Sequence, residues 1–246
     1  FDSLDKISSH VAEELKNYEY NTFLIGIELP TEVEEREDEF KAEFEVTHGE
    51  SMKNEFSREI GKKVSEITGK MAEHKKPDIV VFVNPFSEKI TSQPNPLFIS
   101  GRYRKLVRGI PQSKWICPHC RGKGCQKCNW TGKMRQESIE EIIAKPVLEK
   151  TLGESLSFHA AGREDVDALM LGHGRPFIAE VKKPKKRFID LKQLAETINE
   201  EAAGKVNVSG LRFTNRSAVR QLKKTETSEK VYRIVVEFDK AISNEN

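Results

Sequence analysis

Apolar and polar positions along this 246-residue chain follow two different periods. Residues 22–29 (TFLIGIEL) and 79–86 (IVVFVNPF) are short apolar runs rich in branched and aromatic side chains, and 96–103 (PLFISGRY) alternates; all three predict strands. Between the first two, Phe56, Ile60, Val64, Ile67 and Met71 recur three or four apart with Lys and Glu opposite them, which predicts an amphipathic helix. Residues 91–96 (TSQPNP) predict a loop. The first hundred residues therefore read as one small α+β unit.

Further along, 137–153 (ESIEEIIAKPVLEKTLG) predicts a helix capped by Ser138, with Ile139, Ile142, Ile143, Val147 and Leu148 inward and a bend or break at Pro146. Strand patterns follow at 156–159, 176–181, 206–213 and 231–238, with helical patterns at 191–203 and 215–222. The fold class is α+β, without internal repeat or low-complexity tract.

Composition narrows the class. Charged residues make up 33% and hydrophobic ones 37%. No apolar run approaches the roughly 18 residues of a membrane span, so the expectation is a cytoplasmic protein with no membrane partner. The chain starts at Phe1 without a secretion-signal pattern and reads as a piece of a longer one. A net charge of +2 hides a local contrast: 31–45 (TEVEEREDEFKAEFE) is acidic and 101–114 (GRYRKLVRGIPQSK) is basic. Arg102, Arg104, Lys105 and Arg108 with the interleaved Tyr103 suit phosphate contact plus stacking, the signature of a nucleic-acid surface. Lys133 and the run Lys185 to Arg187 extend that expectation; a solvated face is the plainer alternative. No protein partner is legible.

All four cysteines fall in 117–128, CPHCRGKGCQKC, as C-x2-C-x4-C-x2-C. Two such pairs can close a tetrahedron of thiolates, so Cys117, Cys120, Cys125 and Cys128 predict a structural Zn²⁺ site, with disulfides as the alternative. His119 reads as a bystander. Trp130 and Lys133 flank the knuckle, where stacking and phosphate contact are both available. The glycine spacing also resembles, locally, the zinc repeats of DnaJ-type chaperones, which repeat the unit several times.

The order of parts, ending in AGREDVDALMLGHGRPFIAEVK at 161–182, resembles the archaeal branch of tRNA pseudouridine synthases that carry a THUMP domain. The resemblance implies a THUMP-like RNA-binding unit over 1–112, a zinc knuckle over 113–136 and a catalytic domain over 137–246, incomplete at its C-terminal end. It implies tRNA as partner, uridine 54, uridine 55 or both in the TΨC arm as target, and no organic cofactor. Ala161, Gly162, Arg163, Glu164 and Asp165 match the A-G-R-x-D motif of TruA-like synthases, which assigns the catalytic carboxylate to Asp165. Arg163 and Arg175 are candidate substrate contacts, Arg163 pairing with a phosphate or else with a carboxylate and Arg175 otherwise covering a strand end, and Asp167 reads as a brace of the turn. Lys230-Val231-Tyr232 resembles the family's K-x-Y motif and offers Tyr232 to stack on a flipped base. The family block has an arginine where this chain has Leu169. His159 and His173 read as structural or solvated.

Two rival readings remain. Asp165 followed by Glu180-Val181-Lys182 resembles metal-dependent nucleases of the PD-(D/E)xK type, which hold Mg²⁺ between carboxylates. A non-catalytic tRNA-binding module is the other.

Overall fold

The computed structural model describes residues 2–224 and 231–239. It is a mixed α+β structure built on two four-stranded sheets. The first sheet contains β1 (Thr22–Ile27), β2 (Met71–Ala72), β3 (Ile79–Asn84) and β4 (Lys89–Pro94) in the order β2-β1-β3-β4. β1 pairs in parallel with β2 and β3, and β4 closes the edge antiparallel to β3. Helices α1 (Asp2–Leu15) and α3 (Met52–Thr68) supply the rest of this core: Ile7, Val11 and Leu15 of α1 and Ile60 and Val64 of α3 pack with Phe23, Ile25, Val81 and Val83. Each such side chain contributes about 1.5–3 kcal/mol when fully buried.

The predicted helical stripe stops at Val64. Ile67 is exposed, Gly69 closes α3 in the left-handed conformation, and Met71 has already entered β2. Residues 91–94, expected as a loop, belong to β4, where Pro94 ends an edge strand and removes no needed ladder donor. The acidic stretch folds as α2 (Thr31–Glu43), which buries none of its residues and so left no stripe to read.

The second sheet contains β5 (Leu97–Lys105), β6 (Ser155–Ala160), β7 (Met170–Lys182) and β8 (Val206–Thr214) in the order β6-β7-β5-β8, all neighbours antiparallel. The sequence pattern assigns β5 to the first unit. It instead lies at the centre of the second sheet, because its alternate residues Ile99 and Tyr103 face helices α4 (Ile139–Thr151) and α5 (Leu191–Glu201), where Ile139, Ile143, Val147, Leu194 and Ile198 complete the core. Periodicity announces a strand but does not name its partners. The Ser138 hydroxyl caps α4 by accepting from the Glu141 N–H, and the helix runs on as one element through Pro146. On the opposite face of the sheet, α6 (Arg216–Lys224) covers Phe98 and Ile178 with Val219.

Two expectations change at the C-terminal end and the sheet junction. Residues 231–238 form no strand and are exposed, since branched residues alone cannot make a strand without a partner ladder. Arg187, expected to face tRNA, is buried between the sheets: its Nη1 donates to the Asn95 carbonyl at 2.7 Å and its Nε lies 3.3 Å from Asp78 Oδ1. Glu19 Oε2 meanwhile accepts from the Arg187 and Phe188 N–H groups. Burial lowers the Arg187 pKa, opposed by the neighbouring Asp78 carboxylate.

Candidate functional site

Residues 161–169 join β6 to β7 and carry the AGRED motif, and most of this loop is tied down by hydrogen bonds. The Ala161 N–H donates to the Pro176 carbonyl, and the Ala161 carbonyl accepts from Arg175 Nη1. Gln112 Nε2 donates to the Gly162 carbonyl at 3.0 Å. Beneath the loop, Glu164 is 6% exposed and Arg175 5%; Arg175 Nε donates to Glu164 Oε2 at 2.8 Å, and the Tyr103 hydroxyl donates to the same carboxylate at 2.8 Å. Gln112 Nε2 completes the network by donating to Tyr103 Oη at 2.8 Å. Burial, then the Glu164 charge, pushes the Tyr103 pKa far above its ordinary value.

Lys105 is 0% exposed, and its Nζ donates to the carbonyls of Asp165 (3.0 Å) and Val166 (2.7 Å). Burial lowers its pKa while Glu164, Asp167 and Asp165 hold the charge in place. The Gly109 N–H donates to the Val166 carbonyl from the loop that bears the exposed Arg108. The main chain of Asp165 is thus fixed from below, while its side chain stays exposed. This is the arrangement a reacting carboxylate needs: a rigid base and an open oxygen.

Several sequence expectations are corrected here. Lys105 and Arg175 cannot reach a phosphate, because their cationic heads are buried under the loop, and Tyr103 is enclosed in the core rather than presented for stacking. Asp167 stands exposed and braces no turn by a side-chain hydrogen bond among the described residues. Lys133 is half-buried and paired with Glu141.

Of the cations on β5, Arg102 and Arg104 remain outward on the other face, since alternate residues of a strand point to opposite sides. Arg102 donates to the His173 carbonyl at 2.7 Å and the Gly174 carbonyl at 2.8 Å, and Arg104 donates to Asn207 Oδ1 at 2.7 Å. Between Arg175 and Met170 the β7 ladder is interrupted by a bulge. Gly174 has a φ of +71°, and a Cβ there would fall 2.6 Å from the Tyr103 carbonyl oxygen, so the bulge requires glycine. Arg102, Arg104, Gly172, His173 and Ser209 line an open cavity of about 590 Å³. Sequence analysis read His173 as structural or solvated and did not single out Ser209 here or Gln112 below the loop; the bulge glycines are the signal that places His173 at this cavity.

Arg163 is exposed, and its guanidinium carbon lies 5.8 Å from the Trp115 ring centroid, with Arg135 at 5.9 Å. Tyr232 is 68% exposed and lies outside every ladder; Lys230 of the same motif lies outside the described residues. Glu180 pairs with Phe98 in register and Met170 with Lys105, seven positions along β5, or about 23 Å. Glu180 is engaged by His159 Nε2 at 2.9 Å, and among the described residues Asp165 and Glu180 fall in no group that could hold a metal ion.

The knuckle gathers the four cysteine sulfurs within 4.8 Å of one another, the one such metal-competent group among the described residues. Three of their separations are 4.0, 3.8 and 3.7 Å. These are far too long for disulfides, and all four thiols are free. A tetrahedron with metal–sulfur bonds of about 2.3 Å has edges of about 3.8 Å, so the sulfurs fit one tetrahedral ion. Burial opposes the Cys128 thiolate, but the Cys125 and Gly132 N–H groups outweigh it and bring its pKa to about 6. Burial, then Cys128, pushes Cys125 up to about 11. Gly132 has a φ of +72°, and a Cβ would lie 2.4 Å from the Gly122 carbonyl oxygen.

Comparison with known proteins adds the family. The family model "Pus10, C-terminal" matches residues 98–246, and "Pus10 THUMP domain, archaeal" matches 7–84. Curated proteins named tRNA pseudouridine synthase Pus10 are similar over nearly the whole chain. The Methanothermobacter marburgensis protein is 44% identical over 250 residues, covering 100% of this chain and 62% of the relative. The Methanocaldococcus jannaschii protein is 49% identical over 242 residues, covering 98% and 52%. The Methanococcus voltae protein is 45% identical over 242 residues, covering 98% and 46%. The chain therefore spans about half the length of these relatives.

Proposed function

Because the chain belongs to the Pus10 family, we propose that the protein it represents converts uridine to pseudouridine in tRNA, at position 54, 55 or both of the TΨC arm, with Asp165 as the catalytic carboxylate. The observation that carries this reading is the exposed Asp165 side chain on a main chain held by the buried Lys105 ammonium. The reaction is an isomerisation. The C1′–N1 bond breaks, the base turns, C1′ bonds to C5, C5 loses its proton and N1 gains one, so no co-reactant is needed. An anionic oxygen beside the sugar serves as nucleophile or proton acceptor. The target must leave the stack to reach it, and Tyr232 is the proposed platform for the flipped base. The family match makes 7–84 the THUMP part. The catalytic part is read as starting at β5, which pairs with β7, rather than at residue 137. No described helix is long and apolar enough to cross a membrane, in keeping with a tRNA enzyme of the cytoplasm.

Arg104 and Arg108 are exposed and carry the phosphate contacts in this reading, with Arg102 beside them and Arg163 at the loop. Changing both Arg104 and Arg108 to Ala is expected to weaken tRNA binding and to reduce the slope of log K against log salt by about one for each phosphate no longer neutralised. Filter binding across a salt series checks this. An unchanged affinity and slope would remove these residues from the interface.

Zinc is the ion we assign to the four thiolates, because soft sulfur ligands in a closed tetrahedron suit it. One equivalent per chain is expected in elemental analysis. Cys128→Ser should lower the melting temperature and release the ion, and metal content well below one equivalent in purified protein would contradict the assignment.

A further inference from the structure

The cysteine knuckle carries a surface that neither the carboxylate nor the metal uses. From Ser113 to Gln136 the chain contains Lys114, Arg121, Lys123, Lys127, Lys133 and Arg135, and not one acidic residue. Even with a divalent ion bound to four thiolates, which together carry −2, six cations leave the knuckle strongly positive in a chain whose total charge is +2. Lys133 pairs with Glu141, but Arg121, Lys123 and Lys127 are exposed and have no carboxylate partner among the described residues. Trp130 belongs to the same short segment, three residues after Lys127, its N–H donates to the Cys125 carbonyl, and it is 76% exposed. Its φ is +62° and that of Asn129 is +49°, a backbone conformation unfavourable for a bulky side chain. A hydrophobic residue of this size is ordinarily turned inward, and here the fold holds it outward.

The knuckle also adjoins the AGRED loop. Ile116 and Lys133 form a β-bridge at its base, and Trp115, one residue before Ile116, stacks against Arg163, two residues before Asp165. Trp130 is three residues from Lys133, so its backbone lies no more than about 11 Å from that bridge. An exposed aromatic face in a segment of unpaired cations suits single-stranded nucleic acid, stacking one base while the cations hold its phosphates. We propose that Trp130, with Lys123 and Lys127, forms a stacking site for one unpaired tRNA base near the target uridine. The inference rests on the reading that the protein acts on tRNA, and it makes the knuckle a substrate contact as well as a structural element.

The test uses full-length protein and an unmodified tRNA transcript. Trp130→Ala is expected to weaken binding about tenfold or more, and Trp130→Phe to stay within about threefold of wild type, since phenylalanine retains a stacking face. Both variants should keep the wild-type metal content and melting temperature. The chain has two tryptophans, and tRNA should quench emission in wild type by more than in Trp130→Phe. Wild-type affinity in Trp130→Ala would overturn the proposal. So would loss of self-association in that variant at unchanged tRNA affinity, which would make the face a protein contact. Normal tRNA binding with a silent Trp130 overturns this inference alone, whereas a wild-type protein that fails to bind tRNA overturns the functional reading as well.

Discussion

Asp165→Asn in the full-length protein is expected to lower pseudouridine formation by roughly a thousandfold or more, which corresponds to about 4 kcal/mol of barrier. Affinity for tRNA should stay within about threefold, and the melting temperature should not move. The expectation follows from how the loop is built. Lys105 and the Gly109 N–H grip the main chain at Asp165 and Val166, so the exposed side chain contributes little to folding. Asparagine keeps the shape and the loop, and removes only the negative charge. Asp167→Asn is the control, two residues away and equally exposed; it should retain most activity. Single-turnover measurement of tritium release from 5-labelled uridine separates the two, and equal loss in both would move the chemistry elsewhere.

Arg175→Met is expected to cost about 3–5 kcal/mol of stability, because it leaves the buried Glu164 carboxylate without its direct ion-pair partner, Lys105 Nζ being engaged by the Asp165 and Val166 carbonyls. Tyr103 and Gln112 can still reach Glu164, but a neutral hydroxyl and a neutral amide do not compensate a charge. The double variant Arg175→Met with Glu164→Leu should recover much of the loss, since an apolar pair of similar volume removes the unpaired charge. Urea denaturation of the single and double variants checks this. A loss below about 1 kcal/mol in Arg175→Met would mean that the pair does not hold the loop.

These two acids differ in how much of their role shows in the local pattern. The AGRED order picks out Asp165 and leaves Glu164 as a variable place, yet Glu164 is the residue that anchors the motif to the sheet. Nothing local marks it, because its partners Tyr103, Gln112 and Arg175 come from other segments of the chain. Lys105 misleads for the same reason. A basic run of GRYRKLVRG reads as one surface, but strand alternation turns Arg102 and Arg104 outward and buries Tyr103 and Lys105. The cysteine spacing, by contrast, was sufficient to place all four sulfurs together, since C-x2-C turns fix ligand geometry within a few residues. The stripes of α3 and α5 were legible; α1, which buries Ile7, Val11 and Leu15, was not read from the sequence, and neither was α2, which buries nothing.

Whether the protein isomerises uridine in tRNA comes down to one chemical outcome, and a single assay reads it. Full-length protein is incubated with an unmodified tRNA transcript in magnesium-free buffer, and the RNA is treated with carbodiimide and mapped by primer extension. The expected result is a new stop at position 54, 55 or both, on an intact strand and without added metal. A tRNA that is bound tightly but carries no pseudouridine would contradict this and leave a binding module, and strand cleavage appearing only with Mg²⁺ would contradict it in favour of a nuclease.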